Sequence, residues 1–451
     1  MSERGGFQTK IGVILATAGS AVGLGNIWRF PYMTGQDGGA AFILLYLVCV
    51  MMLGIPGMVC EFIIGRHSSA NAARAYRQLS GRGPWGIIGY MGVLTSMIIL
   101  GFYVVIAGWC LQYLFASIGS QIHGDAVEIK AYFENYASGS VMPVLFTIVF
   151  ILITHFIVTR GVKNGIEKAS NFMMPTLFVL LLVIVVASCS LPGAIKGVKF
   201  LFMPDFSKID TNIFLDALGQ AFFSLSLGTA CLCTYASYFS RQVNLSKSAL
   251  QIALIDTLIA VIAGLMIFPA AFSVGVSPSA GPELTFVTLP NVFEQAFTPT
   301  IGYIISILFF ALLSLAALTS TISMHEIGTA FFYEEFHISR QKGAWVETIC
   351  CIVIGICCSL SYGGNDFFTH FLGEKNFLDC CDYLTSNILL PLGSLLTCIF
   401  LGWFVPSKIS RDEFTNWGTL SSSFFGAFLF LVRFVCPICI VLVFLHQMGV
   451  V

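Results

Sequence analysis

Charged side chains are scarce in this sequence. Among 451 residues there are 22 Lys and Arg and 23 Asp and Glu, 10% of the chain, where an ordinary soluble domain carries about 25%. So few charges cannot coat the three water-facing domains that this length would suggest at roughly 150 residues each. No excess of one sign exists either. The formal net charge of −1 excludes nucleic acid as a partner, because a nucleic-acid face needs surplus Lys and Arg. The polar segment between Ser120 and Ser140 holds no cysteine, which argues against an extracellular disulfide. The 15 cysteines, Cys350–Cys351 and Cys357–Cys358 among them, lie mostly in apolar runs and read as buried free thiols packing like small hydrophobes. No Cys/His spacing matches a zinc site, and no nucleophile–base set suggests an enzyme. No small-residue cleavage site follows the first apolar run, so no signal peptide is expected.

What the sequence has in abundance is apolar length. Hydrophobic residues make up 57% and the mean hydropathy is +0.88, so one polytopic helical membrane domain is expected. A span needs about 20 mostly apolar residues. Such runs fall at roughly 11–33, 40–64, 87–118, 142–158, 171–191, 213–238, 249–274, 299–333, 345–361, 378–404 and 422–446. That predicts eleven transmembrane helices, with the short, Pro-flanked stretch 283–297 as an external lid. With the N-terminus in the cytoplasm, fifteen Lys and Arg fall on the inner side and five on the outer, which is the expected bias. The C-terminus then lies outside the cell, in the periplasm or beyond, and the chain is a multi-pass protein of the cell (inner) membrane.

Two of the spans are interrupted. The first contains Gly19-Ser20-Ala21-Val22-Gly23-Leu24-Gly25-Asn26 and the sixth contains Ser224-Leu225-Ser226-Leu227-Gly228-Thr229. Each Gly costs a helix about 1 kcal/mol, and polar groups stand at mid-membrane depth beside it. For one span alone, Gly19 and Gly23 could equally form a small-residue packing face. Breaks at the same place in two successive groups of five spans point instead to an inverted-repeat transporter whose site lies at the breaks. The expected units are residues 1–191 (spans 1–5), 192–404 (spans 6–10, with the lid) and 405–451 (span 11).

From about Phe7 to Trp403 the chain resembles the neurotransmitter:sodium symporter family, and within it the bacterial amino-acid transporters such as the leucine transporter. The marks are Gly19 through Pro31 of the first span, Gln220-Ala221-Phe222-Phe223-Ser224-Leu225-Ser226-Leu227-Gly228, Thr234-Tyr235-Ala236-Ser237-Tyr238, and Leu318-Thr319-Ser320. The resemblance implies sodium-driven symport of an α-amino acid by alternating access. It also implies two sodium ions: one held by Ala21, Asn26, Ser224 and the substrate carboxylate, the other by Gly19, Val22, Ala316, Thr319 and Ser320. Thr319 and Ser320 taken alone would read as hydroxyls bonding back to their own helix. The family's first ion site also uses an amide in the seventh span, where this sequence has Leu254-Ile255-Asp256-Thr257. Asp256 is expected to ligate sodium or to supply the negative charge that animal relatives take from chloride. Either role predicts that chloride is not required.

By the same resemblance the substrate contacts are Ala21, Leu24, Gly25, Ile99, Tyr103, Phe223, Ser224, Ser226, Thr229, Ser320 and Met324. Gly23 stands where monoamine carriers have Asp, so the substrate must bring its own carboxylate. Thr229 stands where the leucine transporter has Phe, which favours a larger apolar or aromatic amino acid. Arg29 and Asp382, supported by Gln220, are the expected outer gate; Arg4 and Glu334, supported by Tyr238, the inner one. Glu61 is expected beneath the first break, accepting its freed N–H groups, and Glu326 is the candidate for any proton-linked step. A homodimer remains open. The rival readings are a carrier of glycine or another small solute, and a sensor or channel on the same scaffold.

Overall fold

A computed structural model describes residues 6–81, 83–275, 284–373 and 375–447. These residues form helices joined by short loops, with one isolated bridge between Leu372 and Lys375. The first span is α1 (Lys10–Ala21) followed by α2 (Gly25–Gln36), bent by 55° at the break. Then come α3 (Ala40–Ser68), a short α4 (Ala72–Ser80), α5 (Gly86–Ile118), α6 (Ala126–Ala137), α7 (Met142–Thr159) and α8 (Val162–Cys189). The second half opens with α9 (Ala194–Phe202), α10 (Thr211–Ser224), α11 (Cys231–Ala236), α12 (Leu245–Ser273) and α13 (Thr288–Ala296). It continues with α14 (Pro299–Glu335), α15 (Arg340–Leu360), α16 (Phe377–Phe404), α17 (Ser407–Phe414) and α18 (Phe425–His446).

Among the described residues nine helices are individually long and apolar enough to cross a bilayer, ten if the bent first span counts as one. The expected sixth span is in two pieces of 14 and 6 residues, each too short to cross alone, so a count of eleven does not follow from length. The stretch expected to be a lid holds the nine-residue α13, with residue 283 outside the described residues. Helices α4, α6 and α9 lie in segments that hydropathy reads only as connections.

The break between α10 and α11 is forced by backbone conformation. Ser226 (φ 53°), Gly228 (φ 81°) and Ala230 (φ 62°) all adopt left-handed geometry, which costs a residue with a side chain roughly 1–2 kcal/mol. Such strain persists only where surroundings over-determine it. Here the fully buried Glu61 of α3 accepts hydrogen bonds from Gly228 N (2.8 Å) and Cys233 N (3.2 Å). The carboxylate therefore serves the second break, not the first as expected. It can reach because α3 runs against α11 at Gly65, where an added Cβ would stand 2.0 Å from the Cys233 carbonyl oxygen.

The outer surface of the bundle is apolar. Phe156, Phe172, Val179, Val186 and Leu254 are all more than half exposed, as lipid-facing side chains should be. None of the fifteen cysteines forms a disulfide; nine are buried, but Cys189 at the end of α8 is exposed, unlike the buried thiols expected.

Candidate functional site

The two breaks meet in the middle of the bundle. Unwinding releases backbone groups that the helix would have paired, and outer half-helices then direct N–H groups, inner halves carbonyls, at the gap. Asn26 stands on the first turn after the break in α2 and is fully buried. Its Nδ2 donates to Asp256 Oδ1 (2.7 Å), to the Asp256 carbonyl (3.1 Å) and to Ser224 Oγ (3.3 Å). Ser224 Oγ donates to Asp256 Oδ2 at 2.7 Å, and Tyr46 OH donates to the same oxygen at 3.2 Å. The Asp256 carboxylate is thus placed in the core by three donors from α2, α3 and α10. Sequence reasoning had identified Asp256, Asn26 and Ser224. It missed Tyr46, whose signal is a lone hydroxyl in an otherwise apolar stretch of α3. The Asn26 amide oxygen accepts from Gly23 N at 3.1 Å, so it is engaged by the break's own backbone.

Hard oxygens gather a second time where α1 meets α14. Thr319 Oγ1 donates to the Val22 carbonyl (3.1 Å) and the Ala316 carbonyl (2.8 Å). Gly19 packs close by: a Cβ there would meet Thr319 Cβ at 3.5 Å. These are the partners expected of the second cation site, all buried, and a hydroxyl spanning two carbonyls from different helices is more than the local back-bond that Thr319 would make alone.

Between the two clusters lies a cavity of about 70 Å³. Ala21, Gly25, Ile99, Tyr103, Phe223, Ser224, Ser226, Thr229, Ser320 and Met324, all among the expected substrate contacts, line it together with Phe102, Cys231 and Leu390, which are outside that expectation. Leu24 is not in the lining; it contributes its backbone N–H, which donates to Tyr103 OH at 3.1 Å. Gly23 leaves no room for a side chain, since its Cβ would lie 2.3 Å from Ser320 Oγ and 2.9 Å from Tyr103 OH.

The outer gate residues do not pair in this conformation. Arg29 lies over the Phe223 ring at 4.2 Å, a cation–π contact that partly offsets its cost at this depth. No ion pair within 4.0 Å joins it to Asp382; Asp382 Oδ1 instead accepts from Ser386 Oγ at 2.7 Å. Gln220 is fully buried, but neither of its amide atoms has a hydrogen-bond partner. It therefore does not support Arg29 as anticipated.

On the inner side, Arg4 lies outside the described residues. Glu334 Oε2 accepts from Asn71 N (2.8 Å) and Asn71 Nδ2 (2.9 Å) at the start of α4. Tyr238 OH donates to Glu326 Oε1 at 2.6 Å, and Glu326 is also ion-paired with Arg340. The fully buried Glu326 is thereby neutralised, which suits a structural fastening better than the proton-linked step considered for it. Replacing Arg340 by Ala should destabilise the protein by about 3 kcal/mol, because it strands a buried charge. The double variant Glu326→Gln/Arg340→Ala should recover most of that loss. Denaturant unfolding in detergent measures both, and equal losses in the single and double variants would refute the pairing.

Phe7 seats its ring edge-on to Tyr235 and Tyr238 at 5.9 and 6.3 Å. Just beyond it, the buried Glu167 of α8 accepts from Gln8 N (2.8 Å), Thr9 N (3.1 Å) and Thr9 Oγ1 (2.8 Å). The start of α1 is thereby tied to α8, and nothing in the sequence marked Glu167 for this.

Comparison with known proteins bears on the family and the fold. The model of the sodium:neurotransmitter symporter family matches residues 4–132 and 123–451. The "Uncharacterized sodium-dependent transporter YhdH" of Bacillus subtilis is 40% identical over 460 residues, taking in 100% of this chain and 99% of that protein. A sodium- and chloride-dependent taurine transporter of Canis lupus familiaris is 27% identical over 463 residues, covering 91% of this chain and 73% of its own length. Among solved structures, MhsT in complex with L-phenylalanine superposes with a TM-score of 0.88 at 41% identity, over 98% of this chain and 100% of that one. A match that runs almost from end to end, on a bundle broken in its first and sixth spans, means that the chain belongs to the sodium:neurotransmitter symporter family.

Proposed function

We propose that the protein couples inward sodium movement to uptake of an α-amino acid with a large apolar or aromatic side chain, by alternating access across the cell membrane. The observation that carries this reading is the crowding at Gly23. With Ser320 Oγ and Tyr103 OH where a side chain would begin, no carboxylate among the described residues lines the cavity to meet a substrate amine. The substrate therefore brings the carboxylate, which faces Tyr103 and the donors of the first break and completes the cation shell at Asn26 and Ser224. Away from that polar end the wall is Ile99, Phe102, Phe223, Met324 and Leu390, suited to an apolar side chain. Met324 adds an adaptable, polarizable surface. MhsT was solved with L-phenylalanine, which lies in the same substrate class.

Two sodium ions are assigned, one at Ala21, Asn26, Ser224 and Asp256 and one at Gly19, Val22, Ala316, Thr319 and Ser320. The Asp256 charge makes chloride unnecessary. The halves 1–191 and 192–404 move against each other around the site, with the N-terminus in the cytoplasm and the C-terminus outside. Arg29 and Asp382 would close the outer path, and Arg4 and Glu334 the inner one, in other states of the cycle. Each charge carried inward gains about 2.3 kcal/mol per 100 mV of membrane potential.

Proteoliposomes with an inward sodium gradient test the reading. Labelled phenylalanine, tryptophan or leucine should accumulate above the outside concentration and should not do so in choline. Preference for glycine would refute the substrate class. Uptake that only equilibrates would indicate a channel.

A further inference from the structure

A second cavity, of about 410 Å³, opens at the end of the bundle where α1 and α12 both begin. That volume falls in the range of small-molecule sites, roughly 300–1,000 Å³, yet no part of it adjoins the central site. Lys10 and Lys247 line it from opposite helices, with Gln242, Asn244, Ser248 and Gln251 between them and Val13 and Ile14 deeper in. Among the described residues neither ammonium group has a carboxylate within 4.0 Å. Glu167, which packs against α1 at Gly12, is committed to Gln8 and Thr9. Ser248 is 6% exposed and lines the cavity, and among the described residues no side-chain partner holds its hydroxyl. The described lining is thus cationic and polar, and none of its residues is acidic.

Its lower rim continues into lipid. Leu250, Leu254 and Leu258 of α12 are 39%, 59% and 52% exposed and recur every four residues, so they form one stripe on the helix face that Lys247 heads. Ile11, beside Lys10, is 67% exposed on the neighbouring helix. Polar donors and two cations above, with a ladder of lipid-facing aliphatic side chains below, match an anion that carries an acyl chain. The geometry points to a binding site for the phosphodiester headgroup of an anionic phospholipid of the inner leaflet, held by Lys10 and Lys247 with Ser248 donating. The leaflet assignment rests on the orientation proposed above; the site itself does not depend on the transported substrate. Such a lipid bridges the inner half of the first span to α12, and so touches the half-helix that must move for the inner path to open.

Lipid retention can be read directly. Full-length protein in detergent is titrated with short-chain phosphatidylglycerol or phosphatidylcholine, and bound lipid is counted by native mass spectrometry. The wild type should hold one phosphatidylglycerol at least about fivefold more tightly than phosphatidylcholine, since each lysine near a charged headgroup is worth about that factor. Lys10→Gln/Lys247→Gln should abolish the difference, and Lys10→Arg/Lys247→Arg should keep it. Ser248→Leu, which fills the chamber without changing charge, should weaken it. Equal retention of the two lipids by the wild type overturns the proposal, whatever the variants do. Displacement of the lipid by millimolar inorganic phosphate or glycerol phosphate would also overturn it, by showing a site for a soluble anion. Sodium-dependent substrate binding by the variants in pure phosphatidylcholine should match the wild type, so failure here is separable from failure of the transport reading.

Discussion

Replacing Asp256 by Asn is expected to cut sodium affinity roughly 30- to 150-fold in chloride-free medium, corresponding to about 2–3 kcal/mol for the loss of a charged hydrogen-bonding partner in a dry site. Three donors converge on this carboxylate, from Asn26, Ser224 and Tyr46. An amide in its place would turn an N–H toward at least one of them, and toward any cation the group faces. Two roles for the charge can then be told apart. If Asp256 only supplies a negative charge near the cation, adding chloride to Asp256→Asn should restore much of the affinity, because a small anion can settle among the same donors. If the carboxylate itself ligates the cation, chloride should restore little. Isothermal titration with sodium in gluconate and then in chloride medium gives both answers. A variant that binds sodium as well as the wild type in gluconate would remove Asp256 from the ion site altogether.

Glu61→Ala is expected to have the largest effect on stability, about 3–5 kcal/mol. The side chain is fully buried and holds two backbone N–H groups of the second break, Gly228 N and Cys233 N. Each donor left unpaired in that environment costs about 1–3 kcal/mol, and the cavity left behind adds to this. The break would lose what keeps three left-handed residues in place, so the line of Ser226 and Thr229 along the substrate cavity should be lost with it. Glu61→Gln retains one acceptor oxygen and should cost about half as much. Unfolding in detergent, followed by binding of labelled phenylalanine, separates the two consequences. A stability loss below about 1 kcal/mol for Glu61→Ala would show that something else holds the break.

The breaks were legible because they are written in local chemistry: glycines and hydroxyls at a depth where leucine and valine are the rule. Asn26, Asp256 and the Thr319–Ser320 pair came from the resemblance to the family, since Thr319 and Ser320 alone read as hydroxyls bonding back to their own helix. What the sequence concealed was rotation about the helix axis. Depth places Glu61 near both breaks, but only the packing of α3 at Gly65 turns it to the second. Leu390 and Phe102 sit in runs where a wall of the cavity and a packed core residue look alike. Arg340 was counted as a loop cation, fourteen positions from Glu326, and nothing in spacing reveals that a turn after α14 brings it back. The gates were harder still, since a residue that pairs in one state of a cycle need not pair in another; Arg29 rests on Phe223 in this one.

The three donors that Gln8 and Thr9 present to Glu167 give the protein a latch that water can pick. Each of those bonds, once exposed, is exchanged for one to solvent at a net loss of only about 0.5–1.5 kcal/mol. Wetting of that one carboxylate therefore loosens the tie between α1 and α8 at little cost, and drying it fastens the tie again, while Phe7 keeps its packing on Tyr235 and Tyr238. Detachment of α1 from α8 then resembles the swelling of a seam rather than the breaking of a bolt, and it can be undone.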